Sequence, residues 1–301
     1  MSQTKNGNLN SKDLLAEIIK VIESYDTRLT VRQIYYQLVS KHFIENVRSQ
    51  YQRVSKILVK ARHDGDVDWD AIEDRTRQSE GGDDSEKSPE DHFDSAVNYL
   101  RNCWKYFRLP KWKNQPKYVE IWFEKQALQG IFSEETSKFN VTQLACRGYS
   151  SHTMGRELQK RIEEITDERP EIEEYHIIYF GDLDPSGLDI YRFIQDMCSR
   201  FGLTIKFERV AITKEQVQKY NIPPMFAKSS DSRYNKFVAK HGTDVVELDA
   251  LNPTVLQELI RKSIEKHFDK DIHAEVIDEQ EQMRKDIKNM IKEKIGEEND
   301  D

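Results

Sequence analysis

The strongest constraint in this chain is an alternation in its second half. Short apolar runs rich in β-branched and aromatic residues, "YVEIWF", "VTQLAC", "EYHIIYF", "TIKFERV" and "DVVELDA", are separated by helical stretches beginning near Lys125, Thr153, Ser186, Thr213 and Pro253. Runs too short for helices, joined by segments long enough for crossovers, predict a mainly parallel sheet with helices on both faces. In such sheets chemistry gathers at the carboxyl ends of strands.

Two of these strands end in acid. "YVEIWF" runs into Glu124 and Lys125, and "EYHIIYF" runs through Gly181 into Asp182 and Asp184. Carboxylates gathered at one edge raise one another's pKa, and a divalent cation relieves the conflict. Mg²⁺ suits a few carboxylate oxygens and keeps positions open for water and phosphate. Glu124, Asp182 and Asp184 are therefore candidate metal ligands. The plainer alternative is a helix-capping Asp182 and a solvated Glu124.

The first half reads differently. "SKDLLAEIIKVIESY", with Ser11 placed as a cap, "TVRQIYYQLVSK", with Thr30 as a cap, and "RSQYQRVSKILVKARHDG" show helical apolar spacing. Three short helices followed by the turn and extended segment "GDVDWDAI" predict an N-terminal winged helix-turn-helix, with an ordinary helical bundle as the alternative. Between Val31 and Arg62 seven bases face one acid, Glu45. Arg48, Arg53, Lys56, Lys60 and Arg62 are the candidate DNA-binding residues, Arg53, Lys56 and Lys60 sharing a helical face. A merely solvated face is the competing reading.

The net charge of −8 at first speaks against nucleic acid, but the stretch Ser79 to Asp91 carries −5 and Lys292 to Asp301 carries −3. The rest is balanced, so sign must be read locally. The expected organisation is a winged-helix domain over 1–78, an acidic linker over 79–95 rich in Gly, Ser and charge, an α/β domain over 96–271 and a charged helical tail over 272–301. Cys103, Cys146 and Cys198 lie far apart and read as reduced thiols. No run approaches the roughly 18 apolar residues of a membrane span, and the start has no apolar signal region. A cytoplasmic, nucleoid-associated protein is expected. No GxxxxGK segment occurs, so no P-loop is expected.

The residues quoted so far resemble a known family. A strand ending in Glu and a later one ending Asp-x-Asp before Gly is the pattern of Toprim domains. Within that group, "WFEKQAL" with "GDLDPSG" is most similar to the A subunit of topoisomerase VI, which is related to the meiotic double-strand-break transesterase. The resemblance runs in order from about Thr30 to Asp249. It implies that Glu124, Asp182 and Asp184 bind Mg²⁺ and that Lys125 belongs to the site. It also implies that in "RQIYY" Tyr36 is the nucleophile, with Arg32 one helical turn before it. A phenol of pKa about 10 needs such help, although an aromatic at helical spacing also suits a core. The activity so implied is cleavage of double-stranded DNA through a 5′-phosphotyrosyl link, by a homodimer, with a possible separate ATPase partner. In that dimer the tyrosine of one protomer meets the metal of the other. Alternatives are a Toprim nuclease using water, and a non-catalytic DNA-binding accessory protein. The short segment before the winged helix departs from the family pattern and weighs against full strand passage.

Three further features read more blandly. Ser150, Ser151 or Thr153 caps a helix, Lys228 and Arg233 occupy a polar loop, and Glu247 and Asp249 belong to an exposed strand edge.

Overall fold

Strands β1 (Lys117–Phe123), β2 (Thr142–Ala145), β3 (Glu174–Phe180) and β4 (Lys206–Ala211) form a parallel sheet in the order β2-β1-β3-β4 in a computed structural model of the protein. Residues 9–73, 88–146, 152–226 and 233–295 are described. The two central strands pair in register from Lys117↔Glu174 to Phe123↔Phe180. Their carboxyl ends therefore lie side by side, with the Glu124 amide donating to the Phe180 carbonyl at 3.0 Å.

Side-chain alternation sends each strand into two cores. On one face Trp122, Ile177 and Tyr179 pack with Leu158 of α6 (His152–Glu168) and Ile190 and Ile194 of α7 (Pro185–Arg200). On the other, Phe123 stacks on Phe132 of α5 (Gln129–Phe139) at 4.0 Å between ring centroids, and Phe180 meets the same ring edge-on. The expected α/β architecture, with helices on both faces of a parallel sheet, is present.

One expected strand is not part of that sheet. Within "DVVELDA" only Asp244–Val245 is extended; this β6 pairs antiparallel with β5 (Met225–Phe226). Val246 then bridges Leu183 antiparallel, and a 3-10 turn follows over Leu248–Ala250. The segment crosses the carboxyl end of the sheet.

The N-terminal helices are α1 (Ser11–Glu23), α2 (Val31–Ser40) and α3 (Arg48–Asp64). Asn10, not Ser11, caps α1. Thr30 caps α2 in a reciprocal box with Gln33. Helix α2 is buried on nearly every side from Gln33 to Val39, as a helix enclosed by other elements must be. After α3, Leu29 and Ile72 form a parallel bridge. Among the described residues up to Glu73 no β-hairpin follows the three helices, so the finer winged-helix assignment rests on the helices alone.

The compact units divide the chain differently from the expected boundaries. Unit 1 comprises Met1–Arg77 with Lys117–His267, so the three N-terminal helices belong with the sheet, together with α8 (Lys214–Lys219), α9 (Tyr234–His241) and α10 (Pro253–Glu265). Unit 2 comprises Gln78–Pro116 with Phe268–Asp301. Within it lie α4 (Pro89–Tyr106) and α11 (Lys270–Ile295); the segment after α4 meets α11 through Lys113 to Glu279 and Leu109 N–H to the Gln280 side chain at 2.9 Å, and Trp112 packs on Phe268 just before α11. The expected linker is helical from Pro89, with Ser88 as its cap; its residues before 88 lie outside the described ones. The expected boundary at 271/272 falls inside α11.

Candidate active site

The chain turns sharply where β3 ends. Asp184 caps α7, its Oδ1 accepting from the Gly187 amide at 2.6 Å, with Pro185 in the first helical turn. The cap is Asp184 rather than Asp182. A Cβ at Gly187 would lie 2.4 Å from the Asp182 carbonyl oxygen and 3.1 Å from Glu124 Oε2, so only glycine permits this approach. Arg209 of β4 completes the turn, its guanidinium donating to the carbonyls of Gly181 at 3.0 Å and Asp182 at 2.7 Å.

The acids are brought together by this scaffold. Glu124 Oε2 accepts from the Asp182 amide at 3.0 Å. Asp182 Oδ1 accepts from the Leu248 amide at 2.7 Å, and its Oδ2 lies 3.0 Å from Lys125 Nζ. Burial pushes both carboxyls above their ordinary range; Asp184 adds to the effect on Glu124, Glu124 adds to that on Asp182, and Lys125 opposes both.

Lys125 also meets two acids that sequence reasoning placed on an exposed edge. Its ammonium lies 3.0 Å from Glu247 Oε2 and 2.8 Å from Asp249 Oδ2. Asp249 is 1% exposed, which overturns the edge reading. Burial favours loss of the Lys125 proton, yet Asp249, Asp182 and Glu247 prevail and hold its pKa above that of a free lysine. Asp249 Oδ1 is buried with no hydrogen-bond partner among the described residues.

Arg32 enters the same group from α2. Its Nε donates to Glu247 Oε2 and its Nη2 to Glu247 Oε1, a forked pair, while Asp249 Oδ2 lies 3.9 Å from Nε. Its guanidinium carbon is 6.0 Å from the Tyr36 ring centroid. Tyr36 is 2% exposed. Burial and Glu247 raise its phenol above the ordinary value, whereas Arg32 and Lys125 pull it down. Tyr36, Arg32, Lys125 and the edge acids thus form one electrostatic cluster within a single chain.

Glu124, Asp182 and Asp184 supply hard oxygen donors of the kind Mg²⁺ takes. Among the described residues no group of three or more His, Cys, Asp or Glu side chains is arranged to hold a metal ion. Each accepts from a backbone amide through one oxygen, and Asp182 turns its other oxygen to Lys125. The donor chemistry fits a cation, which would share Asp182 with Lys125.

The five proposed DNA-contacting bases do not behave alike. Arg48 and Lys56 are exposed on α3, and Lys60 is exposed beside Asp64 at 4.0 Å. Arg53 is instead turned onto the Leu9 carbonyl, and the Arg62 guanidinium lies 4.8 Å over the Trp69 ring. Ser150, Ser151 and Lys228 lie outside the described residues; Thr153 follows the first residue of α6. Among the described residues no helix is long and apolar enough to cross a membrane. No family model, curated protein or solved structure matches the chain.

Proposed function

We propose that the protein cleaves double-stranded DNA by Mg²⁺-dependent transesterification at Tyr36. One observation carries the reading: Tyr36 and the carboxylates at the strand ends share a charged, partly buried cluster, linked through Arg32, Glu247 and Lys125. A protein core has no need to gather three bases, Arg32, Lys125 and Arg209, and five acids around one tyrosine and one sheet edge.

In this reaction the Tyr36 Oη loses its proton and forms a bond to phosphorus while the bond to the 3′-oxygen breaks. The DNA 5′-phosphate becomes an ester of the tyrosine, and the 3′-oxygen takes a proton and leaves as a hydroxyl, so one proton is released and one consumed. Arg32 and Lys125 supply positive charge beside the phenol and the phosphate, stabilising charge that develops in the transition state. Glu124, Asp182 and Asp184 would hold Mg²⁺, which when bound neutralises charge on phosphoryl oxygens. Cutting both strands needs two such sites, so the active species is proposed to be a homodimer.

A second reading has its own observation. The raised pKa and near-complete burial of Tyr36 disfavour it as a nucleophile and favour a Toprim-type nuclease in which water attacks. Incubation with supercoiled DNA and Mg²⁺, followed by denaturation, separates the two. The transesterase leaves protein attached to DNA ends and loses both adduct and cleavage in Tyr36→Phe. Undiminished cutting by Tyr36→Phe, without adduct, would instead establish the nuclease. Binding with neither product would leave an accessory role.

A further inference from the structure

Beyond the acid cluster, α7 and α9 enclose a groove that begins at Pro185, the residue following Asp184. Its volume is about 280 Å³. Pro185, Leu188 and Phe237 make an apolar floor, and Arg192, Arg233, Lys236 and Lys240 provide a cationic rim with His241 at one end. Asp189 is the one carboxylate of the lining among the described residues. It lies 2.7 Å from Arg192 and 3.5 Å from Arg233, so the arginines are partly neutralised and held in place. Arg233 also donates to Ser186 Oγ at 2.9 Å, tying the rim to the first turn of α7.

The two lysines differ from the arginines. Lys236 and Lys240 are exposed, stand four residues apart on α9 and so share a face. Among the described residues neither has a carboxylate within salt-bridge distance. An apolar floor under a one-sided row of cations suits a ligand with an apolar body and repeated negative charges. The exposed position of both lysines favours a strand running across the groove over a free ligand sealed within it.

We propose that this groove is a phosphate-backbone track that carries the DNA strand to Asp184, with Lys236 and Lys240 meeting its phosphates and the apolar floor meeting its sugars. The inference rests on the DNA-cleaving reading above and names the part of the molecule that would hold the substrate beside the acids. It also assigns DNA contact to the sheet-bearing half of unit 1 in addition to the α3 bases.

The test is binding of a labelled DNA duplex by the full chain, without Mg²⁺, across a salt series. Removing one phosphate-binding cation lowers the salt slope by about 1, so Lys236→Ala/Lys240→Ala should lower it by about 2 and weaken binding to all sequences alike. The control pair is Lys262→Ala/Lys266→Ala, whose ammonium groups already meet Glu258 and Glu208; it should leave the slope unchanged. Equal slopes for wild type and the α9 variant would overturn the track. So would a deoxynucleoside monophosphate that binds the wild type, fails to bind the α9 variant, and leaves duplex affinity untouched, because the groove would then hold a free nucleotide. Failure of the wild type to bind DNA would remove both the track and the cleavage reading. An unchanged slope with an intact Tyr36 adduct would remove the track alone, and a reduced slope with no adduct would keep the track and remove the transesterase.

Discussion

Strand β1 delivers two glutamates to the same face of the sheet, and they meet opposite fates. Glu120, in mid-strand, is fully buried and fully answered: Arg161 donates to both its oxygens at 3.1 Å, Trp122 Nε1 to one at 2.7 Å and the Tyr118 hydroxyl to the other at 2.8 Å. Glu124, just beyond the strand, joins a cluster in which acids outnumber bases, one carboxylate oxygen of Asp249 has no partner among the described residues, and Asp182 is kept from easy ionisation by burial. A buried charge that serves stability is closed by its donors. One that serves chemistry is left with capacity to exchange partners.

That contrast can be broken by mutation. Asp182→Asn should reduce Mg²⁺-dependent cleavage on the order of 10²-fold, the usual cost of one electrostatic catalytic group, while leaving the fold at least as stable, since it removes a repelling acid. A DNA-nicking time course beside a thermal melt checks both. Arg161→Ala should do the reverse. It strands the Glu120 charge and should cost about 3 kcal/mol in urea unfolding, with cleavage per folded molecule unchanged. Equal losses of stability in the two variants would erase the distinction.

Smaller effects sharpen it. Arg32→Ala removes a forked pair whose guanidinium is partly open to solvent, so its stability cost should be about 1 kcal/mol after allowing for screening; its larger consequence should be loss of the Tyr36 adduct. At the amino end of the sheet the rings of His176 and His267 meet at a tilt, 4.3 Å between centroids. Burial lowers both pKa values, that of His267 to about 4, and Lys117 adds to the effect on each. Glu174 opposes it at His176 and Glu208 at His267, while Lys206 further lowers His176 and His176 further lowers His267. The unfolded chain therefore binds protons the native one refuses. Stability is full above about pH 6.5 and falls as pH drops from there towards about 4. Urea midpoints across that range should show the decline, and His267→Gln should flatten it.

The parts legible in sequence are those decided locally. Four strands of the sheet stand out as short apolar runs, and the acids that follow two of them mark the sheet edge from residue order alone. Thr30 announces α2 as its cap. Glu247 and Asp249 read as an exposed edge because their environment is set from afar: Lys125 and Arg32, 122 and 215 residues from Glu247, meet them only in the fold. The same distance hides the α4 and α11 pairing of unit 2, whose halves flank the whole sheet in sequence. Arg209 belongs to no motif, since its role is to hold backbone carbonyls.

Transfer of DNA to protein at Tyr36 is tested most directly by mass spectrometry of the protein after reaction with DNA and Mg²⁺, nuclease trimming and proteolysis. A deoxynucleotide joined through its 5′-phosphate to the peptide carrying Tyr36 is the predicted result. Cleaved DNA together with an unmodified Tyr36 peptide would contradict it.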